Sequence, residues 1–291
     1  MYLADQWQDY QLIDAGEGEK LERWGGYVIQ RPDPQAIWPR GSWPAPDACY
    51  HRSNSGGGSW QIKHPVPHAW SVGYDSPAGR LTFSLELMGF KHTGLFPEQA
   101  ANWDFCIKLI QNAVRSGRFV RVLNLFAYTG AASVACAAAG AEEVVHLDAS
   151  KNMNARAREN LQLSGHATKN VRLISDDALK FVAREQRRGR KYDAIIMDPP
   201  AYGRGPSGEL WKIESDLYSL VAQCTRLLSS QPLFFLINAY ATALAPTVLG
   251  NVLDLLLCPA YGGTASAEEL CLPASARRIL LPCGATGRWV P

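Results

Sequence analysis

From about Arg121 onward, apolar runs of strand length alternate with longer stretches of helical composition, and this alternation limits the fold more than any other feature. Strands that return in the same direction need a crossover, so such a series builds a parallel sheet covered by helices on both faces. The strand candidates are residues 122–126, 143–147, 171–174, 194–197 and 233–237. Between them, residues 131–139, 151–163, 179–188 and 209–228 have helical composition. Ser150 is placed to cap the second of these helices, and Gly140 and Gly165 to stop the first two.

The first 90 residues have a different texture. They hold six of the nine tryptophans, are punctuated by Pro and Gly, and contain short alternating runs such as Leu81-Thr-Phe-Ser-Leu-Glu-Leu. A length of 291 residues suits roughly two domains at about 150 residues each. The pattern predicts a small β-rich N-terminal domain over residues 1–90 and an α/β domain over residues 91–291.

The segment Val122-Leu-Asn-Leu-Phe-Ala-Tyr-Thr-Gly130 reads as a buried strand breaking into a small-residue turn ahead of an Ala-rich helix. Backbone N–H groups at such a turn face the crevice above the strand ends, where doubly wound folds bind ligands. A dinucleotide site needs several glycines to admit a pyrophosphate, and this turn offers only Gly130. Acids then end the following strands: Asp148, placed to accept from ribose hydroxyls, the pair Asp176-Asp177, placed to accept from an adenine amino group, and Asp198, followed by Pro199 and Pro200. A single acid at a strand end is commonly a helix cap; an ordered series of them points to a nucleoside-type cofactor.

With these motifs the chain resembles the class I S-adenosylmethionine-dependent methyltransferases, and within them the group that includes the bacterial 23S ribosomal RNA large-subunit methyltransferases. The resemblance covers about residues 90–237, on Asn124-Leu-Phe-Ala-Tyr-Thr-Gly130, Leu147-Asp-Ala-Ser150, Asp176-Asp-Ala178 and Asp198-Pro-Pro-Ala-Tyr202. It implies a Rossmann-like class I methyltransferase domain with a mostly parallel doubly wound sheet. S-adenosyl-L-methionine would be held by Phe126, Ala127, Tyr128, Thr129 and Gly130 at its methionine part, by Asp148 at the ribose, by Asp177 at the adenine, and further by Ser150 and Asp198. The stretch His92-Thr-Gly-Leu-Phe-Pro-Glu-Gln99 resembles one that helps close the cofactor site in these relatives, which brings in Phe96 and Gln99; His92 stands where they usually have Lys.

The acceptor side falls to Asp198, Pro199, Pro200 and Tyr202. Consecutive prolines fix φ and leave carbonyls without local N–H partners, and Tyr202 is placed to stack on a flat base. A cytosine C5 methyltransferase needs a cysteine thiolate. In the C5-specific relatives a Ser-Cys-Ser stretch follows the fifth strand, where this chain reads Leu236-Ile-Asn-Ala-Tyr240, so a cysteine-dependent mechanism is not expected and Cys224 and Cys258 are read as structural.

Composition narrows the partners. Twenty-nine Lys and Arg against 27 Asp and Glu give a net charge of +2, with no broad charged field. The basic run at residues 184–191 reads chiefly as a helix C-terminus, gaining weight for RNA only beside Arg204, Arg277 and Arg278. His64 and His68 are separated by prolines and lack companions, so no metal is expected. Seven scattered cysteines and no apolar span point to a cytoplasmic protein without a membrane partner, a monomer or homodimer. The expected function is methyl transfer to a nucleic-acid base, with ribosomal RNA favoured. The alternatives are a small-molecule methyltransferase and a non-catalytic RNA-binding protein that keeps the cofactor fold.

Overall fold

The computed structural model describes residues 1–53, 57–167, 169–204, 210–240 and 244–291. In chain order the elements are β1 (Tyr2–Leu3), β2 (Tyr10–Gly16), β3 (Glu19–Trp24), β4 (Tyr27–Pro32), β5 (Ala48–Arg52), β6 (Gly58–Ile62), β7 (Trp70–Ser76), β8 (Gly79–Leu85), α1 (Ala100–Arg115), β9 (Arg121–Leu125), α2 (Ala131–Ala138), β10 (Glu143–Asp148), α3 (Lys151–Leu163), β11 (Val171–Ser175), α4 (Ala178–Arg187), β12 (Ala194–Met197), β13 (Tyr202–Arg204), β14 (Leu210–Lys212), α5 (Ile213–Thr225), β15 (Phe234–Ala239), α6 (Pro246–Tyr261), β16 (Thr264–Pro273) and β17 (Leu280–Val290).

Period-two alternation puts successive side chains of each central strand on opposite faces. Val122, Val144, Ala194, Ile196, Phe234 and Leu236 share a core with α1 and α2. Leu123, Leu125, Val145, Ile195, Phe235 and Ile237 share the other with α4, α5 and α6. Helices on both faces are what make these strands apolar throughout. The eight-stranded sheet runs β1-β16-β17-β15-β12-β9-β10-β11. Its strands β15, β12, β9, β10 and β11 are parallel, and β17 is antiparallel to both β15 and β16. The chain moves outward from β9 to β11 and then returns to the other side of β9 with β12, so the topological switch lies between β9 and β12, and a crevice opens there at the strand ends.

Sequence and structure differ in three places, the first being α1 over Ala100–Arg115, where no element is expected from the sequence. The expected helix over residues 209–228 starts only at Ile213; Glu209 lies outside the described residues, and the hairpin β13–β14 precedes the helix. The sequence reading also named no elements after residue 237, where α6, β16 and β17 complete the sheet.

The N-terminal part is β-rich as expected, with the five-stranded sheet β2-β3-β4-β5-β6 and the hairpin β7–β8. It is also stitched into the rest. β1 pairs with β16, the β8 backbone N–H of Ser84 donates to Asn160 on α3 at 2.8 Å, and Trp7, Tyr74 and Phe83 pack edge-on or tilted around Trp103 of α1. Most tryptophan N–H groups of this part are spent on internal acceptors, Trp7 on Pro97, Trp38 on Ala15, Trp43 on Asp14, Trp60 on Met88 and Trp70 on Trp24.

Candidate active site

The turn after β9 is wound against its own preference. Phe126 and Tyr128 have φ of 56° and 50°, a left-handed conformation uncommon for non-glycine residues, and Gly130 has φ of 86°. Several bonds hold it. Ala127 N–H donates to Leu147 at 3.0 Å, Tyr128 N–H to Asp148 Oδ2 at 2.8 Å, and Gly130 N–H to Ala127 at 2.9 Å. The Thr129 hydroxyl donates to the Gly94 carbonyl at 2.7 Å, and Asn160 Nδ2 donates to the Thr129 carbonyl at 2.8 Å. A Cβ on Gly130 would lie 2.7 Å from the Cβ of Ala157, so no other residue fits without displacing α3.

Two cavities meet at Phe126. The first, about 60 Å³, is walled by the turn, by Leu95, Phe96 and Gln99, and by Asp198 and Asn238. The second, about 260 Å³, runs past Asp148 and Asp177 to Trp211 and Asp216. The second cavity thus has the strand-end carboxylates Asp148 and Asp177 on its walls next to a cavity lined by the glycine turn, an arrangement that suits a cofactor with an amino-acid end, a ribose and an adenine. Asp148 is fixed for such a role: its two oxygens accept from the N–H groups of Tyr128 and Ser150, both at 2.8 Å, while burial raises its carboxyl above the usual range.

The expected site residues divide accordingly. Phe96, Gln99, the 126–130 turn and Asp198 line the first cavity; Phe126, Asp148, Asp177 and Pro200 line the second. Asp177 also caps α4, accepting from Lys180 N–H at 2.9 Å, so it is a cap and a crevice residue at once. Ser150 borders neither cavity. It is exposed and caps α3, touching the site only through the N–H it gives Asp148. Pro199 is buried and Tyr202 is 55% exposed, and both lie outside the two linings. The Pro200 carbonyl is not free, because Trp211 Nε1 donates to it at 2.6 Å.

Sequence reasoning missed three groups. Trp211, 5.9 Å from the ring of Phe126, is turned into the crevice by the hairpin that replaced the expected helix start. Asn238 donates to Asp198 Oδ1 at 3.1 Å. Glu98 is buried and accepts from the Tyr240 hydroxyl at 2.8 Å. Strand-end position was a signal for Asn238 and Tyr240; Glu98 had none. Burial pushes Asp198 up to about 7, with the charge of Glu98 adding to the effect. Beyond Phe96, a further cavity of about 310 Å³ separates this region from the N-terminal sheet, with Lys20, Arg31, Lys91, His92, Glu98 and Tyr240 on its walls.

The basic run is largely spent internally, with Arg184 on Asp176 at 2.7 Å, Arg188 on Glu185 at 3.1 Å and Arg190 on Glu143 at 2.5 Å. Arg277 clamps Asp14 at 2.7 Å and the Ala15 and Pro39 carbonyls, Arg278 is exposed, and the side chain of Arg204 lies outside the described residues. No group of three metal-ligating side chains occurs among the described residues, where His64 pairs with Asp47. None of their helices is long and apolar enough to cross a membrane.

A doubly wound sheet with a strained glycine turn and strand-end acids around one crevice defines a nucleoside-cofactor enzyme of the Rossmann-like class. The S-adenosylmethionine-dependent methyltransferase family matches residues 52–241, and the chain belongs to that family. A solved SAM-dependent methyltransferase from Agrobacterium tumefaciens is 33% identical and superposes with a TM-score of 0.91, over 99% of this chain and 92% of that one. Ribosomal RNA large subunit methyltransferase I of Aeromonas hydrophila is 32% identical over 124 residues, 43% of this chain and 30% of that protein. Ribosomal RNA large subunit methyltransferase K/L of Shewanella baltica is 32% identical over 148 residues, 50% of this chain and 20% of that protein. The matched stretch spans less than a third of either curated relative.

Proposed function

We propose that the chain methylates a base of RNA, ribosomal RNA in the first instance, by direct attack of a base atom without a cysteine intermediate. The observation that carries this reading is Asp198, a half-buried carboxyl in the wall of the first cavity, beside the strained turn and with one donor on it. S-adenosyl-L-methionine supplies an activated methyl group when bound. In the proposal the 126–130 turn, with Phe96 and Gln99 above it, holds the methionine part, Asp148 the ribose and Asp177 the adenine, with Ser150 acting only through its backbone.

On the acceptor side, Asp198 with its carboxyl near 7 accepts an N–H of the base, orients it and can take its proton as the new bond forms. Pro199 and Pro200 keep the carboxyl from swinging, and Tyr202 offers its exposed ring to a stacked base. Residues 1–90 are assigned to holding the acceptor across the cavity beside Lys91 and His92. The curated relatives named for ribosomal RNA support the substrate class. The tryptophans of the first 90 residues are absent from the walls of the two crevice cavities, which weighs against a Trp-lined pocket for a small metabolite. Cysteines are absent there too. Cys283 borders the neighbouring cavity, where burial holds its thiol protonated.

The test is incubation of the purified chain with methyl-labelled cofactor and total RNA from a strain lacking the protein, followed by nucleoside analysis. Label in one modified nucleoside is expected. Label confined to small molecules, or a covalent adduct with a fluorinated cytosine substrate, overturns the reading.

A further inference from the structure

A buried chain of side chains runs from the C-terminal strand β17 to both carboxyls of the acceptor region, and its chemistry permits only one direction. Arg288 has donors and no acceptor. It donates to Asn102 Oδ1 through Nη2 at 2.7 Å and Nε at 3.3 Å, which fixes the Asn102 amide with its nitrogen pointing away. That nitrogen has two hydrogens and two recipients: Gln99 Oε1 at 2.8 Å and Thr286 Oγ1 at 3.1 Å.

On the first branch Gln99, accepting at its oxygen, donates through Nε2 to the Tyr240 hydroxyl at 3.0 Å, and Tyr240 passes its single hydrogen to Glu98 Oε1 at 2.8 Å. On the second, Thr286 donates to Asn238 Oδ1 at 2.7 Å, and Asn238 donates through Nδ2 to Asp198 Oδ1 at 3.1 Å. Asn102, Thr286, Asn238 and Glu98 are all buried, so water does not compete for these bonds.

We infer that Arg288 and Asn102 are positioning residues for methyl transfer, the head of a branched one-way hydrogen-bond relay that orients Asp198 and Glu98 as acceptors toward the incoming base. The relevance of the two carboxyls to the acceptor rests on the function proposed above; the relay itself does not. Its head lies on α1 and β17, remote from the motifs at the strand ends, and Arg288 is held in place by the rings of Tyr2 and Phe105 at 3.6 and 4.5 Å. The ionisable groups facing its ends are Glu98 and Tyr240 around Asp198, and Tyr10, Lys20, Arg31, Tyr240 and Cys283 around Glu98.

The experiment follows the ¹³C carboxyl titrations of Asp198 and Glu98 by NMR in the full chain, with Asp198→Asn and Glu98→Gln for assignment. Thr286→Val removes one hydroxyl at nearly constant volume and cuts only the second branch. It leaves the Asn238 amide without the donor that fixes its orientation and so weakens its bond to Asp198; the Asp198 midpoint is expected to move up by about half to one pH unit, part of the worth of one hydrogen bond to a charged oxygen, and Glu98 to stay in place. Tyr240→Phe is expected to do the converse. Asn102→Asp keeps the shape and the contact with Arg288 but cannot donate, so Gln99 and Thr286 turn toward it and both carboxyls lose their donors; both midpoints are expected to rise together.

A folded Asn102→Asp chain with both titrations unchanged overturns the relay. If that variant does not fold, Thr286→Val decides alone, and an unmoved Asp198 refutes the proposal. These titrations need neither methyl donor nor RNA. A chain that shows the coupled shifts yet never labels RNA therefore retains the relay and loses the substrate assignment. Where RNA is labelled, Thr286→Val should lower turnover about tenfold while cofactor affinity by calorimetry stays constant.

Discussion

At the scale of single residues, Asp148 and Asp198 are both strand-end acids with opposite duties. Asp148 is committed to two backbone N–H groups and has its remaining lone pairs toward the crevice. Asp148→Ala removes the acceptor proposed for the ribose and also leaves the left-handed Tyr128 without its tether, so calorimetry is expected to show cofactor affinity lower by about tenfold or more. Asp198 carries a folded-state pKa raised from 3.8 to about 7. A carboxyl shifted upward contributes stability that is full below its unfolded value and is lost as pH rises through about 7. Asp198→Asn, which keeps the acceptor for Asn238, should therefore raise the melting temperature relative to wild type more at about pH 8 than at about pH 5, while turnover falls. Equal shifts at both pH values would mean that the carboxyl is not held out of water.

At the scale of elements, the turn between β9 and α2 stores strain that its surroundings hold in place. Gly130→Ala demands a left-handed alanine against Ala157, and is expected to cost about 1 to 3 kcal/mol in denaturant unfolding and to abolish cofactor binding. This element was legible in the sequence because one glycine after an apolar strand has few structural uses, and the strand-end acids were legible because position in a βαβ unit determines where a side chain faces. The hairpin β13–β14 was not. Its apolar Leu210 and Trp211 run directly into the apolar face of α5, and local composition does not show that Lys212, whose N–H donates to Asp216 at 2.7 Å, ends a strand before the helix begins. Glu98 was hidden as well, and Asn238 showed only its strand-end position, since their meaning depends on partners far away in sequence, Tyr240 for the one and Thr286 for the other.

At the scale of the whole molecule, the textural break near residue 90 is real in composition, but the cores do not respect it: Trp24, Tyr74 and Phe83 belong to the same buried cluster as Trp103 and the inner face of β9. A fragment of residues 91–291 would expose that cluster and leave β16 without β1. It is expected to unfold without a cooperative transition, or to associate, when followed by circular dichroism and light scattering. A fragment with the melting behaviour of the full chain would establish residues 91–291 as an independent folding unit.

The clamp between Arg277 and Asp14 carries a cost in time. Asp14 is buried to within 1% of full enclosure, and its oxygens are shared among Gly41, Trp43 and an arginine 263 positions later. At roughly 5 to 20 residues per second of synthesis, the strand bearing Asp14 waits on the order of tens of seconds for that cation. During that interval the nascent N-terminal sheet carries a carboxylate without its counterion and lacks the bridge from Leu12 to Ala274. A ribosome still making this protein therefore holds an unfinished sheet, and its exposure to chaperones is set by the speed of translation.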